Sequence, residues 1–313
     1  GLMPAHIAAG ANLSFWPLGP VFRRAGAFFL RRTFKGNDFY AAIFREYLTT
    51  MLREGFPVEF FIEGTRSRTG KLSRPRYGIL SMITQAVTEG DLSDVAIVPI
   101  SIGYERIVEG KAYSSEALGG EKSSESVAGV LRASRLLRTK HGRVYVEFED
   151  PIDLDAYLLE HGMTESLDKA EFKRGVRRLG YEIIHRINAC TTVTPSAIAA
   201  TVLMNHPEAA TPEPQMLHEA GFLLGYLLSK QARLSNSLSG ALATQREVIG
   251  SQGRRTTELS PVAQVEQFDA VTASESARQR LATMTDTELG QRLRPVIIEA
   301  LHLFKDNGHL KIR

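Results

Sequence analysis

The sequence predicts an α/β fold, a mixed sheet flanked by helices, followed by a mainly helical C-terminal region. Two observations carry this. Up to about residue 154, short β-branched and aromatic runs alternate with segments of helical apolar spacing, the pattern of a layered α/β domain. After Pro151 the strand signal fades, and long apolar segments of period 3.6 take over. The division this implies is an α/β domain over 1–154 and a mainly helical region over 155–313.

The elements follow in order. "PAHIAAG" (Pro4–Gly10) reads as a short buried strand, and "FRRAGAFFLRR" (Phe22–Arg32) as a short helix and then a strand. "NDFYAAIFREYLTTMLREG" (Asn37–Gly55) is an amphipathic helix. Asn37 caps it, Phe39, Ile43, Phe44, Tyr47, Leu48 and Met51 recur at helical spacing, and Gly55 ends it. "PVEFFIEG" (Pro57–Gly64) is a strand, "YGILSMITQAVTEG" (Tyr77–Gly90) a second helix, and "DVAIVPISIGYE" (Asp94–Glu105) a second buried strand. A polar segment follows, with a helix around Gly129–Leu137. "GRVYVEFEDPIDL" (Gly142–Leu154) then alternates as a strand closed by Pro151. Beyond it, helices are expected over Lys169–Cys190, Thr194–His206 and Pro214–Leu234. Thr194 caps the second of these, with Pro195 at its first position. Ser-, Gly- and Gln-rich connections run through Ser235–Pro261, and a last helix lies within Thr285–Gly308.

Composition excludes several classes. The 313 residues are 43% hydrophobic and 23% charged, ordinary for a globular protein. A net charge of +3 is too weak to argue for nucleic acid, and aromatic and basic residues do not interleave as they do on a single-strand-binding platform. The single cysteine, Cys190, rules out an internal disulfide framework and reads as a small core residue. No apolar run reaches the roughly 18–20 residues of a membrane span, and the first residues show no signal-peptide pattern.

The chemistry concentrates in "FFIEGTRSRTGKL" (Phe60–Leu72), where an apolar run ends in Glu63, Gly64 and then Arg66, Arg68 and Lys71. Strand ends in open α/β sheets are where ligands bind. Arginine offers a planar fork that pairs two phosphate oxygens at once. A second basic cluster, Arg23, Arg24, Arg31, Arg32 and Lys35, flanks another apolar run, which favours an anion clamp over a solvated turn. The loop is not a P-loop: five residues separate Gly64 from Gly70 where four are needed, and Leu72 stands where a magnesium-binding Ser or Thr belongs. No GxGxxG or GxSxG motif and no zinc-spaced His/Cys cluster is present. Phe15, Trp16, Phe22, Phe28 and Phe29 have two readings, core packing or a patch facing lipid with Arg23 and Arg24 toward anionic head groups.

In order, these segments resemble the glycerol-3-phosphate acyltransferase family, of the long bacterial type related to the dihydroxyacetone-phosphate acyltransferases. "GAFFLRR" resembles the second of the family's four blocks, which implies that Arg32 meets the substrate phosphate. "FFIEGTRSR" resembles the third, implying substrate-binding roles for Glu63, Gly64, Arg66, Ser67 and Arg68, with Glu63 supporting catalysis. "IVPISIGYE" resembles the fourth, with Pro99 shaping the acyl side. The resemblance covers about Gly1–Leu154 and continues through "TPSAIAATVLMNH" and "LHLFKDNGHL". It implies a glycerolipid acyltransferase-like fold and transfer of a fatty acyl group from acyl-CoA or acyl carrier protein to the sn-1 hydroxyl of glycerol 3-phosphate, the first step of phospholipid synthesis. It implies no cofactor and no metal, and peripheral attachment at the cytoplasmic face of a membrane.

The first block is the departure. It supplies a His and an Asp with four residues between them, the His as general base and the Asp holding its tautomer. None of the eight His residues has an Asp at that spacing. The pair is expected just upstream of Gly1. On this reading the chain is a fragment that begins after its catalytic pair and is inactive alone. Dihydroxyacetone phosphate as acceptor, or a non-catalytic phospho-ligand or membrane-surface module, are the alternatives.

Overall fold

The structure, a computed structural model, describes residues 3–31, 33–34, 36–65, 71–105, 143–206, 211–242 and 284–305. Along the chain the elements are β1 (His6–Gly10), α1 (Leu18–Arg24), β2 (Ala27–Leu30), α2 (Asp38–Arg53), β3 (Val58–Glu59), α3 (Gly78–Thr88), β4 (Ala96–Ile97) and β5 (Ile100–Tyr104). They continue as β6 (Val144–Phe148), β7 (Ile152–Asp153), α4 (Leu154–Glu160), α5 (Lys169–Ala189), α6 (Pro195–Met204), α7 (Glu213–Ser229), α8 (Asn236–Leu242) and α9 (Asp286–Lys305). Packing divides them into two units. One contains the described parts of Gly1–Ile100 and Phe148–Asn188, the other those of Ser101–Lys111, Arg135–Glu147 and Ala189–Arg313. An α/β fold followed by a mainly helical region is what the chain adopts. Its strands form small separate sheets: β2-β1-β3, β4-β7 and β5-β6.

In the first unit, β1 lies between β2 and β3 and runs parallel to both, with Gly10 opposite Leu30 and Ile7 opposite Glu59. The Asn37 side chain accepts the Tyr40 N–H and so starts α2, while Gly55, at a φ of +79°, ends it in a conformation that costs other residues free energy. Phe44, Leu48 and Met51 on α2 are buried, and Phe28 of β2 packs its ring against Phe44 and Tyr47. The apolar stripe of α2 is wider than its buried face, because Phe39, 77% exposed, and Ile43 lie outside it. A core of Ile62, Leu80, Ile83, Leu154, Leu179 and Ile183 joins the end of the β3 segment to α3, α4 and α5.

The expected single strand over Asp94–Glu105 is two strands in different sheets. Val98 and Pro99 separate them. Proline has no N–H to give a ladder and fixes its own φ, so pairing stops there. β4 pairs with β7 instead, in antiparallel register with Ile97 opposite Ile152. Nor is the run uniformly buried, since Ile102 and Tyr104 are exposed.

The second unit is built on α6, α7, α8 and α9. Thr194 caps α6 by accepting the Ala197 N–H, with Pro195 in its first turn, as the sequence predicts. The connection expected from Ser235 onward contains α8, whose Leu238 and Leu242 enter the core. A parallel bridge between Val193 and Leu234 joins the segments that lead into α6 and α8, a strand-like contact that the helical texture conceals. Cys190 is buried. The helix expected around Gly129–Leu137 and the closing Gly308 lie outside the described residues.

Helices α7 and α9 cross at two glycines. A Cβ on Gly221 would overlap the Asp286 carbonyl, and one on Gly290 the Leu217 carbonyl. Gly221→Ala therefore destabilises this unit by about 1–3 kcal/mol, the range for overpacking. At an open helix position the same change is stabilising, by up to about 1 kcal/mol. Urea unfolding followed by circular dichroism checks the sign: the helical transition should move to lower urea.

Candidate functional site

Because β1, β2 and β3 all run the same way, their C-terminal ends emerge at one edge of the sheet. From that edge the chain leaves β1 at Gly10, β2 toward Arg31, and β3 toward Glu63. The loop after β3 and the part of the second basic cluster that follows β2 thus start from the same edge, with β1 between them, whereas Arg23 and Arg24 precede β2. The Arg31 N–H donates to the Tyr40 hydroxyl at 3.2 Å, and the Arg31 guanidinium lies 5.0 Å from the Tyr40 ring centroid. Arg23 stands over the Phe29 ring at 5.3 Å. These two cations are occupied by aromatic faces.

The loop after β3 is tied at its base. Ile62 is buried and holds the segment to the core. Its carbonyl accepts the Arg76 N–H at 2.7 Å, joining entry to exit. Next to it, a Glu63 carboxylate oxygen accepts the Ser73 N–H at 2.7 Å, a bond in a half-buried position. Gly64 donates its N–H to the Phe61 carbonyl at 2.8 Å and has a φ of +63°. A Cβ there would stand 2.9 Å from Arg76 Cγ. Glycine is required twice over, by the left-handed backbone and by the arginine stem above it. On the exit side, Pro75 is buried and Tyr77 packs at Gly180 of α5, where a Cβ would stand 2.9 Å from the Tyr77 ring.

Of the expected site residues, Glu63, Gly64 and Pro99 are described, whereas Arg32, Arg66, Ser67 and Arg68 lie outside the described residues. Pro99 is fully enclosed, and its carbonyl accepts the Glu149 N–H at 3.0 Å. No hydrogen bond among the described residues links it to Glu63. Of the five aromatic residues with two readings, Phe28 and Phe29 are packed as above, Phe15 and Phe22 are half-buried, and Trp16 is 80% exposed. Sequence reasoning passed over Ser73 and Arg76. The available signal was the continuation of the basic run through Arg74 and Arg76, past the end of the motif.

A family model described as the glycerol-3-phosphate acyltransferase C-terminal region matches residues 113–275. The chain belongs to the glycerol-3-phosphate acyltransferase family. An acyltransferase model matches residues 2–103, which include both basic segments and β1 to β4. The chain is 41% identical over 225 residues to a glycerol-3-phosphate acyltransferase of Pasteurella multocida (strain Pm70), a match covering 70% of this chain and 28% of that relative. It is 39% identical over 254 residues to the one from Histophilus somni (strain 129Pt), covering 80% and 31%. The match to the Actinobacillus succinogenes protein is 41% over 234 residues, covering 73% and 29%. The chain therefore spans about three-tenths of the length of the curated relatives it matches.

Gly64→Ala tests the loop base. A left-handed residue with a Cβ costs about 1–2 kcal/mol, and the Arg76 stem must also move. Hydrogen exchange at the Arg76 and Ser73 amides, which report the two ties, should accelerate by about 5- to 30-fold, with the amides of α7 and α9 unchanged.

Proposed function

We propose that this chain carries the acceptor-binding part of an O-acyltransferase that moves a fatty acyl group from acyl-CoA or acyl carrier protein to the sn-1 hydroxyl of glycerol 3-phosphate. The observation that supports it best is the parallel β2-β1-β3 sheet, which starts the basic segments after β2 and after β3 from one edge. Membership of the family supplies the chemistry to which that edge is suited.

In this reading Arg32, Arg66 and Arg68, with Ser67, hold the phosphate. Glu63, fixed by Ser73, steadies the glycerol backbone beside Gly64. Holding the acceptor in one orientation makes attack effectively intramolecular. The acceptor hydroxyl oxygen bonds to the thioester carbonyl carbon, its proton passes to a histidine base, and the carbon–sulfur bond breaks to release a thiol that takes up the proton. The family's first block would supply that base as a His/Asp pair, and none of the eight His residues of 1–313 has an Asp at its spacing. Pro99 keeps β4 and β5 apart on the acyl side. No cofactor enters this chemistry. Dihydroxyacetone phosphate presents the same phosphate and terminal hydroxyl and is the second acceptor to test. Membrane attachment belongs to the proposal too, at the cytoplasmic face and peripheral. None of the described helices is long and apolar enough to cross a membrane, and exposed Trp16 and Val21 beside exposed Arg23 and Arg24 suit an anionic lipid surface.

Arg66→Lys in the full-length protein tests the clamp. Lysine keeps the charge and loses the fork. A loss of about 1.5–3 kcal/mol, the range for a hydrogen bond to a charged group, should appear in kcat/KM for glycerol 3-phosphate. Saturation by the acyl donor should be almost unchanged. An equal fall for both substrates would instead assign Arg66 a general structural role. No fall in either would return the loop to a solvated turn and favour a non-catalytic module.

A further inference from the structure

Arg76 returns the loop to the residue that opens it. Its N–H is bonded to the Ile62 carbonyl, so its backbone stands beside the entry to Glu63. Its stem lies over Gly64: a Cβ built on that glycine would be 2.9 Å from Arg76 Cγ, 3.4 Å from Cβ and 4.0 Å from Cδ. The stem therefore runs across the Gly64 backbone as far as Cδ, two bonds short of the guanidinium carbon. The residue is exposed, and none of the carboxylates among the described residues forms an ion pair with it. Arg31 and Arg23 rest on aromatic rings, and Arg45 is shared between Glu89 and Asp91. Arg76 is unlike them, a cation whose stem lies over Gly64 and whose guanidinium has no ion pair among the described residues.

A guanidinium stays charged at any working pH and matches phosphate oxygens with two parallel donors. Held over a glycine at a sheet's ligand edge, it meets an anion that approaches the loop backbone. We propose that Arg76 is a further phosphate-contacting residue of this site, standing outside the basic motif and binding a phosphate monoester. The proposal rests on the acceptor-binding reading above. The phosphate has two sources, the acceptor or the phosphates of the acyl donor's coenzyme A.

Titration calorimetry on Gly1–Arg313 separates them, with glycerol 3-phosphate, coenzyme A and phosphate-free glycerol as probes. Arg76→Met keeps the stem over Gly64 and removes the charge, Arg76→Lys restores charge without the fork, and circular dichroism checks that each variant is folded. Arg76→Met should weaken one phosphate compound by about tenfold to a hundredfold, with Arg76→Lys in between and glycerol unaffected. A loss confined to glycerol 3-phosphate assigns the acceptor, and a loss confined to coenzyme A assigns the donor. If both stay unchanged in Arg76→Met while Arg66→Lys weakens glycerol 3-phosphate, Arg76 has no such role and the proposed function stands. If the wild-type chain binds neither compound, the acceptor-binding reading and this inference fall together.

Discussion

Everything at the candidate site depends on β1 pairing in parallel with both of its neighbours. Had β2 run antiparallel, the chain would leave it at the far edge, and its arginines would be a strand length away from the loop after β3. Parallel pairing needs long crossovers, and α1 and α2 supply them. Their packing is what makes the pairing hold: the Phe28 ring meets Phe44 and Tyr47, and Phe44 meets Phe34. A slip of one residue in this register would turn Phe28 to the opposite face.

The second constraint is the closure of the loop after β3. Its two ties, the Ile62 carbonyl to the Arg76 N–H and the Glu63 carboxylate to the Ser73 N–H, fix both ends of the basic segment to the core without using an arginine side chain. Glu63 thus spends one carboxylate oxygen on structure and retains acceptor capacity on the other. Gly64 belongs to the same device, since its left-handed turn and missing side chain let the Arg76 stem lie across it. Below the loop, Ile62 packs in the core that α3, α4 and α5 complete. The helices that follow the sheet therefore support the candidate site's edge as well as burying apolar surface.

Local signals explain what could be read from the sequence. The Asn37 cap, the Gly55 stop and the Thr194–Pro195 start involve residues within a turn of one another, and each was legible. The break at Pro99 was not, because β4 finds its partner in β7, far along the chain, and pairing of that kind leaves no local trace. Helix α8 was hidden for a different reason. Its serines and glycine favour turns, and it is held as a helix by Leu238 and Leu242 in a core supplied by other helices. At the site, the motif gave Glu63 and Gly64 directly. Ser73 and Arg76 acquire their roles only when the loop closes, so chemistry alone did not mark them. The arginines at the centre of the motif, Arg66 and Arg68, lie outside the described residues.

In the proposed site, two segments distant in sequence act on one phosphate at the C-terminal edge of the β2-β1-β3 sheet. A crystal structure of the protein with glycerol 3-phosphate bound tests it most directly. The phosphate is expected at that edge, with hydrogen bonds from side chains of both the segment after β2 and the segment after β3. A phosphate seated elsewhere, or held by only one of the two segments, would contradict it.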